Sequence, residues 1–225
     1  MGESSIVFNT LKISVLIQLL SGIYQIIPLF MKFSIKRLLL VHLLYLDLAV
    51  QVIEFAFYAW WMFSYKQVKN ITSLRYIDWA ITTPTMLFTL IIYVLYINNK
   101  TYNYGLYDTF IDNYRTIGTV LILNWAMLYL GYMGEIGSLD VPLSVTLGFV
   151  PFIIYFYLIY NKYIVDSNYA GKTIFYYFLI VWSIYGVAAM FSYNIKNSLY
   201  NILDIFAKNF FGIYIAYLLL FTQGG

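Results

Sequence analysis

The sequence predicts an all-α membrane protein, a bundle of seven transmembrane helices. Of its 225 residues, 62% are hydrophobic and only 10% are charged, whereas a soluble domain carries about a quarter charged residues. Seven apolar stretches also reach the roughly 20 residues that a helix needs to cross the hydrocarbon layer. They lie at roughly 11–31, 36–63, 72–97, 114–133, 142–164, 172–192 and 197–221.

Short polar segments separate the apolar stretches. Examples are MKFSIKR after the first stretch, GYMGEIGSLD after the fourth and NKYIVDSNYAGK after the fifth. Helices joined by such short connections pack beside one another, so we expect a compact up-and-down bundle. The sequence has no internal repeat and no sign of a second domain. We therefore predict a single seven-helix domain over residues 1–225.

Basic residues are unevenly distributed between the two sides of the predicted bundle. The side with fewer of them also carries the acidic residues Glu135 and Asp140. Because an excess of lysine and arginine marks the cytoplasmic side, we predict an extracellular N-terminus and a cytoplasmic C-terminus. The basic residues on the predicted cytoplasmic side are Lys32, Lys36, Arg37, Lys100, Arg115, Lys162 and Lys172.

The composition argues against several other classes of protein. Cysteine is absent and histidine occurs once, as His42, which excludes a disulfide framework and argues against a metal site built from those residues. The net charge is +3 without a basic block, so no nucleic-acid partner is expected. The partner that the sequence does predict is the lipid bilayer. We expect an integral, multi-pass protein of a plasma or host-cell membrane.

Six ionisable residues lie inside the predicted spans, where a charge is costly and usually serves a function in the bundle interior. Residues three or four positions apart share one helix face, as do Arg75 and Asp78, and also Asp204 and Lys208. A buried lysine can remain charged beside carboxylates, and its amine is the usual nucleophile toward an aldehyde. An ion-pair cluster that only fixes helix packing is the alternative. The six are Asp47, Glu54, Arg75, Asp78, Asp204 and Lys208.

Three segments resemble the microbial, or type 1, rhodopsins. RYIDWAITTP, residues 75–84, is similar to the third-helix motif of that family, and LDIFAK, residues 203–208, to its retinal-binding seventh helix. VWSIY, residues 181–185, is similar to the sixth-helix segment that presses on the retinal. Their order and spacing agree with the seven spans, so the resemblance covers nearly the whole chain. The members of this family that the chain resembles include small viral and channel-type rhodopsins.

The resemblance implies a covalent cofactor, all-trans retinal, held by Lys208 as a protonated Schiff base. It further implies that Asp78 and Asp204 are paired counterions, with Arg75 on their extracellular side. Aromatic residues would enclose the polyene, and threonines would form hydrogen bonds beside it. Without the motifs, the tryptophans would be interpreted as ordinary core residues. The implied pocket residues are Tyr76, Trp79, Thr82, Thr83, Asn124, Met127, Trp182 and Tyr185.

The resemblance implies transport or signalling and no enzymatic activity. In this family, light isomerises the retinal, moves the N–H group away from the residue that matches Asp78 and leads to proton transfer. The pattern of an outward proton pump is incomplete here, because Thr89 stands where pumps usually have a carboxylate donor and SYNIKNSLY lacks a glutamate pair. Gly186 and Ala189 also replace a proline and a tryptophan that are common in the family.

Polar residues recur every three or four positions on the first, second and seventh spans, which predicts a polar stripe on each of them. The resemblance implies that these three helices are neighbours, so the stripes would face one another. Such stripes offer hydrogen-bonding groups for a hydrated route, and acidic residues in them attract cations. We therefore predict a light-gated channel for monovalent cations or protons, with an outward proton pump and a sensory photoreceptor as alternatives. Hydrogen-bonded cross-links between helices are the other interpretation of these stripes. The predicted pathway residues are Ser14, Gln18, Asp47, Gln51, Glu54, Tyr58 and Asn201.

We expect a central and a cytoplasmic constriction in this pathway, and a closure on its outer side. Asp47 would form the cytoplasmic one, and Arg75 would close the outer side. A homo-oligomer is compatible with the sequence, because members of the resembled family form several kinds. The central constriction would consist of Ser14, Gln18, Glu54 and Asn201.

Overall fold

The computed structural model describes residues 2–98 and 105–222, with side chains from residue 6 onwards. Lys100 and the two ends of the predicted domain, Met1 and residues 223–225, lie outside the described residues. Within them, seven helices are long and apolar enough to cross a membrane. The predicted fold class, a bundle of seven transmembrane helices, is confirmed.

The helices follow the predicted order. The first span is α1 (Gly2–Ile26) with a 3-10 turn (Ile27–Phe30), and the second is a 3-10 turn (Ile35–Arg37) followed by α2 (Leu38–Phe63). Next come α3 (Ile71–Ile97), α4 (Leu106–Glu135), α5 (Val141–Ile159) with a π-helical turn (Tyr160–Ile164), and α6 (Tyr169–Ala188). The seventh span consists of α7 (Tyr193–Asp204), a π-helical turn (Ile205–Asn209) and α8 (Phe210–Phe221).

Four boundaries lie several residues from their predicted positions. α1 begins at Gly2 and not near residue 11, and α7 begins at Tyr193 and not near residue 197. α4 begins at Leu106 and not near residue 114, because the Asp108 carboxylate accepts the Gly105 backbone N–H at 3.3 Å and caps a polar first turn. α6 ends at Ala188 and not near residue 192. Hydropathy measures apolar length, so it misses polar helical turns and overruns into the apolar turn between α6 and α7.

α3 continues through a proline. Pro84 has no backbone N–H, so the carbonyl of Ala80, four residues earlier, lacks its helical donor. The indole N–H of Trp125 on α4 donates to this carbonyl at 2.8 Å. The hydrogen bond satisfies the freed carbonyl and joins α3 to α4.

The packing order places α3 and the seventh span in the interior. α1 packs against α2 and the seventh span, α2 and α4 pack against α3, and α4 packs closely against α5. α6 contacts α7 and α3 but makes few contacts with α5. α3 and the seventh span are the most buried of the seven spans in the described chain. Below, the end of the bundle where α1 begins is called the N-terminal end, and the other is the C-terminal end.

Candidate functional site

Lys208 lies at the centre of the candidate site. It belongs to the π-helical turn of the seventh span, and it is 2% exposed. Its Nζ donates to Asp78 Oδ2 at 2.5 Å and lies 3.9 Å from Asp204 Oδ1. A buried ammonium needs such partners, because its desolvation otherwise costs several kcal/mol. Asp78 of the third-span motif and Asp204 and Lys208 of the seventh-span motif thus meet at one point.

Asp204 is held by two tyrosines as well as by charge. Tyr58 on α2 and Tyr185 on α6 donate to its two carboxylate oxygens at 2.5 and 2.6 Å. Hydrogen bonds to an ionised group are roughly twice as strong as those between neutral groups, so this carboxylate is held firmly in place. Tyr58, which the stripe pattern predicts along an ion route, lies in this carboxylate cluster.

Arg75 closes the cluster toward the N-terminal end of the bundle. Its Nη1 lies 3.3 Å from Asp204 Oδ2, and the same nitrogen donates to Tyr58 Oη at 2.7 Å. The guanidinium also donates to Asn197 Oδ1 at 3.2 Å and to Asn201 Oδ1. The two buried cations of the cluster therefore face two buried carboxylates, which offsets the cost of burying charge.

A cavity lies beside Lys208 and extends to α4 and α5. It contains about 880 Å³ of space between atoms, its open side included. Its walls are mostly aromatic and apolar. The implied pocket residues that line it are Tyr76, Trp79, Thr83, Met127, Trp182 and Tyr185.

A long conjugated aldehyde such as retinal fits this arrangement. The amine of Lys208 and the carboxylate of Asp204 lie at one wall of the cavity, and the rest of the wall suits an apolar polyene. Asp78 Oδ1 has no hydrogen-bond partner among the described residues, so that carboxylate retains acceptor capacity beside the lysine.

Two implied pocket residues act from behind the cavity wall. Thr82 Oγ1 donates to the Asp78 backbone carbonyl at 2.9 Å, so it supports the helix that carries the carboxylate. Asn124 does not line the cavity; its Nδ2 donates to Thr83 Oγ1 at 2.8 Å. Thr83 donates in turn to the Trp79 carbonyl at 2.7 Å. These bonds hold α3 side chains against the cavity.

The first polar layer between α1, α2 and the seventh span contains the four residues of the expected central constriction. Gln18 Nε2 donates to Ser14 Oγ and to Glu54 Oε1, each at 3.1 Å. Ser14 Oγ donates to the Asn201 backbone carbonyl at 3.2 Å. All four are at most 1% exposed. The three helices are in direct contact here, so the layer is closed.

A second polar layer lies next to Lys208; it contains the predicted pathway residue Gln51 and also Asn209, which the sequence prediction did not include. Asn209 Oδ1 accepts hydrogen bonds from Ser21 Oγ and, at 2.9 Å, from Gln51 Nε2. Gln51 also donates to the backbone carbonyl of Gln18 at 2.8 Å. Asn209 is one position off the regular spacing of three and four, and the π-helical turn, with its extra residue, orients it inward. Only its adjacency to the lysine could have identified it from the sequence.

A third polar group lies toward the C-terminal end of the bundle. Asp47 and Gln25 are buried, and neither side chain has a hydrogen-bond partner in the part of the chain that the structure describes. Both pack against Gly212 of α8, where an added Cβ would collide with them. With the first two layers they form a column of polar side chains. Along α2 it covers about 10.5 Å from Asp47 to Glu54, at 1.5 Å per residue.

Comparison with known proteins shows the family and the fold of the chain. A family model described as bacteriorhodopsin-like protein matches residues 8–221. The crystal structure of the viral rhodopsin OLPVRII is similar with a TM-score of 0.82 and 26% identity, over 94% of this chain and 96% of that one. No curated protein sequence matches the chain significantly.

Two less similar structures support the fold alone. A blue light-absorbing proteorhodopsin from Med12 has a TM-score of 0.74 and 19% identity, over 95% of this chain and 96% of that one. The proton pumping rhodopsin AR2 from the marine alga Acetabularia acetabulum has a TM-score of 0.71 and 20% identity, over 97% of both chains.

The matching family model covers nearly the whole chain, and its members bind retinal covalently inside a seven-helix bundle. The buried lysine, its two carboxylates and the apolar cavity are the features that such a cofactor requires. The chain is an integral, multi-pass membrane protein, and it belongs to the bacteriorhodopsin-like family of retinal-binding rhodopsins.

Proposed function

We propose that the chain is a light-gated cation channel with retinal attached to Lys208. One observation carries the proposal: a column of buried polar side chains runs between α1, α2 and the seventh span and passes Lys208. Bound retinal absorbs light and changes shape beside this lysine. In the structure the first two layers of the column are closed by hydrogen bonds, so conduction requires these bonds to separate.

The acidic residues of the column favour cations. Glu54 is the acidic member of the first layer, and Asp47 lies in the third. Carboxylates along a narrow route attract cations and repel anions. Both side chains are buried, and within the described chain neither carboxylate forms a hydrogen bond with a basic residue. Such groups favour the entry of a cation and water once the helices separate.

Asn209 provides the mechanical link between Lys208 and the column. It directly follows the lysine in the π-helical turn, and its amide oxygen accepts hydrogen bonds from α1 and α2. A shift of the lysine backbone therefore pulls on Ser21 and Gln51. Because Gln51 is also bonded to the Gln18 carbonyl, the movement reaches the first layer.

An outward proton pump is the second candidate function. Asp78 is 2.5 Å from Lys208, which suits a proton acceptor, and Asp47 is buried on the C-terminal side of the lysine, which suits a donor. Thr89, in the usual donor position, donates to the Met86 carbonyl at 2.9 Å. A threonine hydroxyl does not ionise near neutral pH, so it cannot replace a carboxylate.

The orientation in the membrane is part of the proposal. The basic residues Lys32, Lys36 and Arg37 lie between the first two spans, at the C-terminal end of the bundle. The positive-inside bias then assigns that end to the cytoplasm. In this orientation Asp47 is on the cytoplasmic side of Lys208, and Arg75 is on the extracellular side.

Voltage-clamped cells that express the full chain and receive all-trans retinal test the channel proposal. A channel gives photocurrents that reverse sign with membrane potential and follow the cation gradient when external sodium or protons are replaced. The Lys208→Ala variant, expressed at the same surface level, is the control without chromophore. An outward photocurrent that never reverses supports the pump and contradicts the channel. A pigment that absorbs light without any current favours a sensory photoreceptor.

A further inference from the structure

The cavity beside Lys208 has a branch that continues toward the N-terminal end of the bundle. Along α4 its lining runs from Met127 to Glu135, which is about 12 Å at 1.5 Å per residue. Along α5 it runs from Phe152 to Val141, or about 16 Å. The branch begins at the α4 and α5 wall, and in the described chain neither helix packs closely against the seventh span, although Glu135 of α4 pairs with Lys196 of α7. It therefore lies beyond the part of the cavity next to the lysine.

Glycines make room for two hydroxyl groups in this branch. A Cβ added to Gly131 would lie 2.7 Å from Tyr76 Oη, and one added to Gly134 would lie 2.5 Å from Ser144 Oγ. Any larger residue at either position would displace the hydroxyl group. The close approach of these helices thus presents polar atoms to an otherwise apolar space.

The polar atoms of the branch have unused hydrogen-bonding capacity. Tyr76 Oη has no hydrogen-bond partner among residues 2–98 and 105–222, although it lines the cavity. Ser144 Oγ donates to the Leu130 carbonyl at 2.7 Å, which leaves its lone pairs free to accept. Glu135 Oε1 accepts from Lys196 Nζ at 2.6 Å. Tyrosine hydroxyls away from bulk water usually find a partner, so the branch suits a ligand that bears an oxygen.

We propose that this branch binds an oxygen substituent on the ring of the retinal, a hydroxyl or keto group, with Tyr76 as its hydrogen-bond donor. The carbon skeleton of the ligand fills the apolar part of the cavity from Lys208 to Met127. Its substituted ring end meets the Tyr76 hydroxyl, and Ser144 accepts the proton of a ring hydroxyl. The inference depends on retinal binding by the family and is independent of whether the protein conducts or pumps ions.

One additional hydrogen bond of ordinary strength changes affinity about two- to tenfold. Apoprotein made without retinal is therefore offered an equimolar mixture of all-trans-retinal and all-trans-3-hydroxyretinal, and in parallel the 4-hydroxy isomer. The bound chromophores are released with hydroxylamine and quantified by chromatography. We expect about two- to tenfold enrichment of at least one hydroxylated form over retinal in the native protein.

The Tyr76→Phe variant removes only the hydroxyl and should abolish the enrichment while total pigment is retained. Tyr93→Phe is the matched control, because the Tyr93 hydroxyl pairs with Tyr214 at 2.7 Å and does not line the cavity. If Tyr76→Phe fails to load, Val145→Phe, which narrows the branch, should lower the share of hydroxylated chromophore.

Three outcomes would overturn the proposal. The first is equal uptake of substituted and plain retinal by the native protein. The second is enrichment that persists in Tyr76→Phe or, where that variant does not load, in Val145→Phe. The third is recovery of a second apolar molecule in an amount equal to the pigment. Infrared difference spectra in which the Tyr76 hydroxyl is hydrogen-bonded to a water molecule in the loaded protein would likewise show that the branch holds water only.

Discussion

The clearest test of the link between chromophore and column is the substitution Asn209→Leu. Leucine has nearly the same size but removes the oxygen that accepts hydrogen bonds from Ser21 and Gln51. Both donors keep other acceptors, because each also donates to the Gln18 carbonyl, at 3.0 Å from Ser21 Oγ and 2.8 Å from Gln51 Nε2, and Gln51 Nε2 also lies 3.1 Å from Ser21 Oγ. The two lost bonds therefore cost the closed state about 1–3 kcal/mol in total.

A destabilisation of this size shifts a closed–open equilibrium roughly 5- to 150-fold toward the open state. We expect a larger current in the dark and slower closing after a light pulse, measured under voltage clamp and normalised to surface expression. Thr119→Val is the control, because it removes a hydroxyl that bonds only within exposed α4, to the Arg115 carbonyl. Wild-type dark current and closing rate in Asn209→Leu would refute the idea that these bonds keep the column closed.

Three further predictions concern the chromophore, the charge of the column and the fold. Lys208→Ala should give no visible absorption after retinal is added, and a coloured variant would contradict the attachment site. Glu54→Gln keeps an acceptor for Gln18 but removes the charge, so the preference for cations over anions should fall, measured from reversal potentials; an unchanged reversal potential would exclude Glu54 from selectivity. Trp125→Phe removes the donor to the Ala80 carbonyl and should lower the free energy of unfolding by about 1 kcal/mol, measured by detergent-induced unfolding. The loss should shrink in a Pro84→Ala background, where the backbone N–H of residue 84 returns; equal losses in both backgrounds would contradict this role of Trp125.

Spacing along the chain is sufficient to predict the charged centre. Arg75 and Asp78 on one span, and Asp204 and Lys208 on another, have helical spacing, so each pair projects from one face. Buried charges then have few stable arrangements other than mutual pairing. The 2.5 Å contact between Lys208 and Asp78 is such a pairing of buried charges. Helical spacing likewise predicts the polar stripes that contain Ser14, Gln18, Glu54 and Asn201, but the family resemblance was needed to predict that the stripes face one another. Side chains or backbone of these residues meet in one layer.

The sequence alone determined the seven spans, the buried charges and the helix faces that carry them, because apolar length and helical period are local properties of the chain. Only the tertiary structure decided which polar groups meet. The π-helical turn orients Asn209 inward against a regular period, Tyr58 joins the carboxylate of Asp204, and Asn124 lies behind the cavity wall. The branch of the cavity near Tyr76 likewise depends on how closely four helices approach, and no single helix encodes that distance.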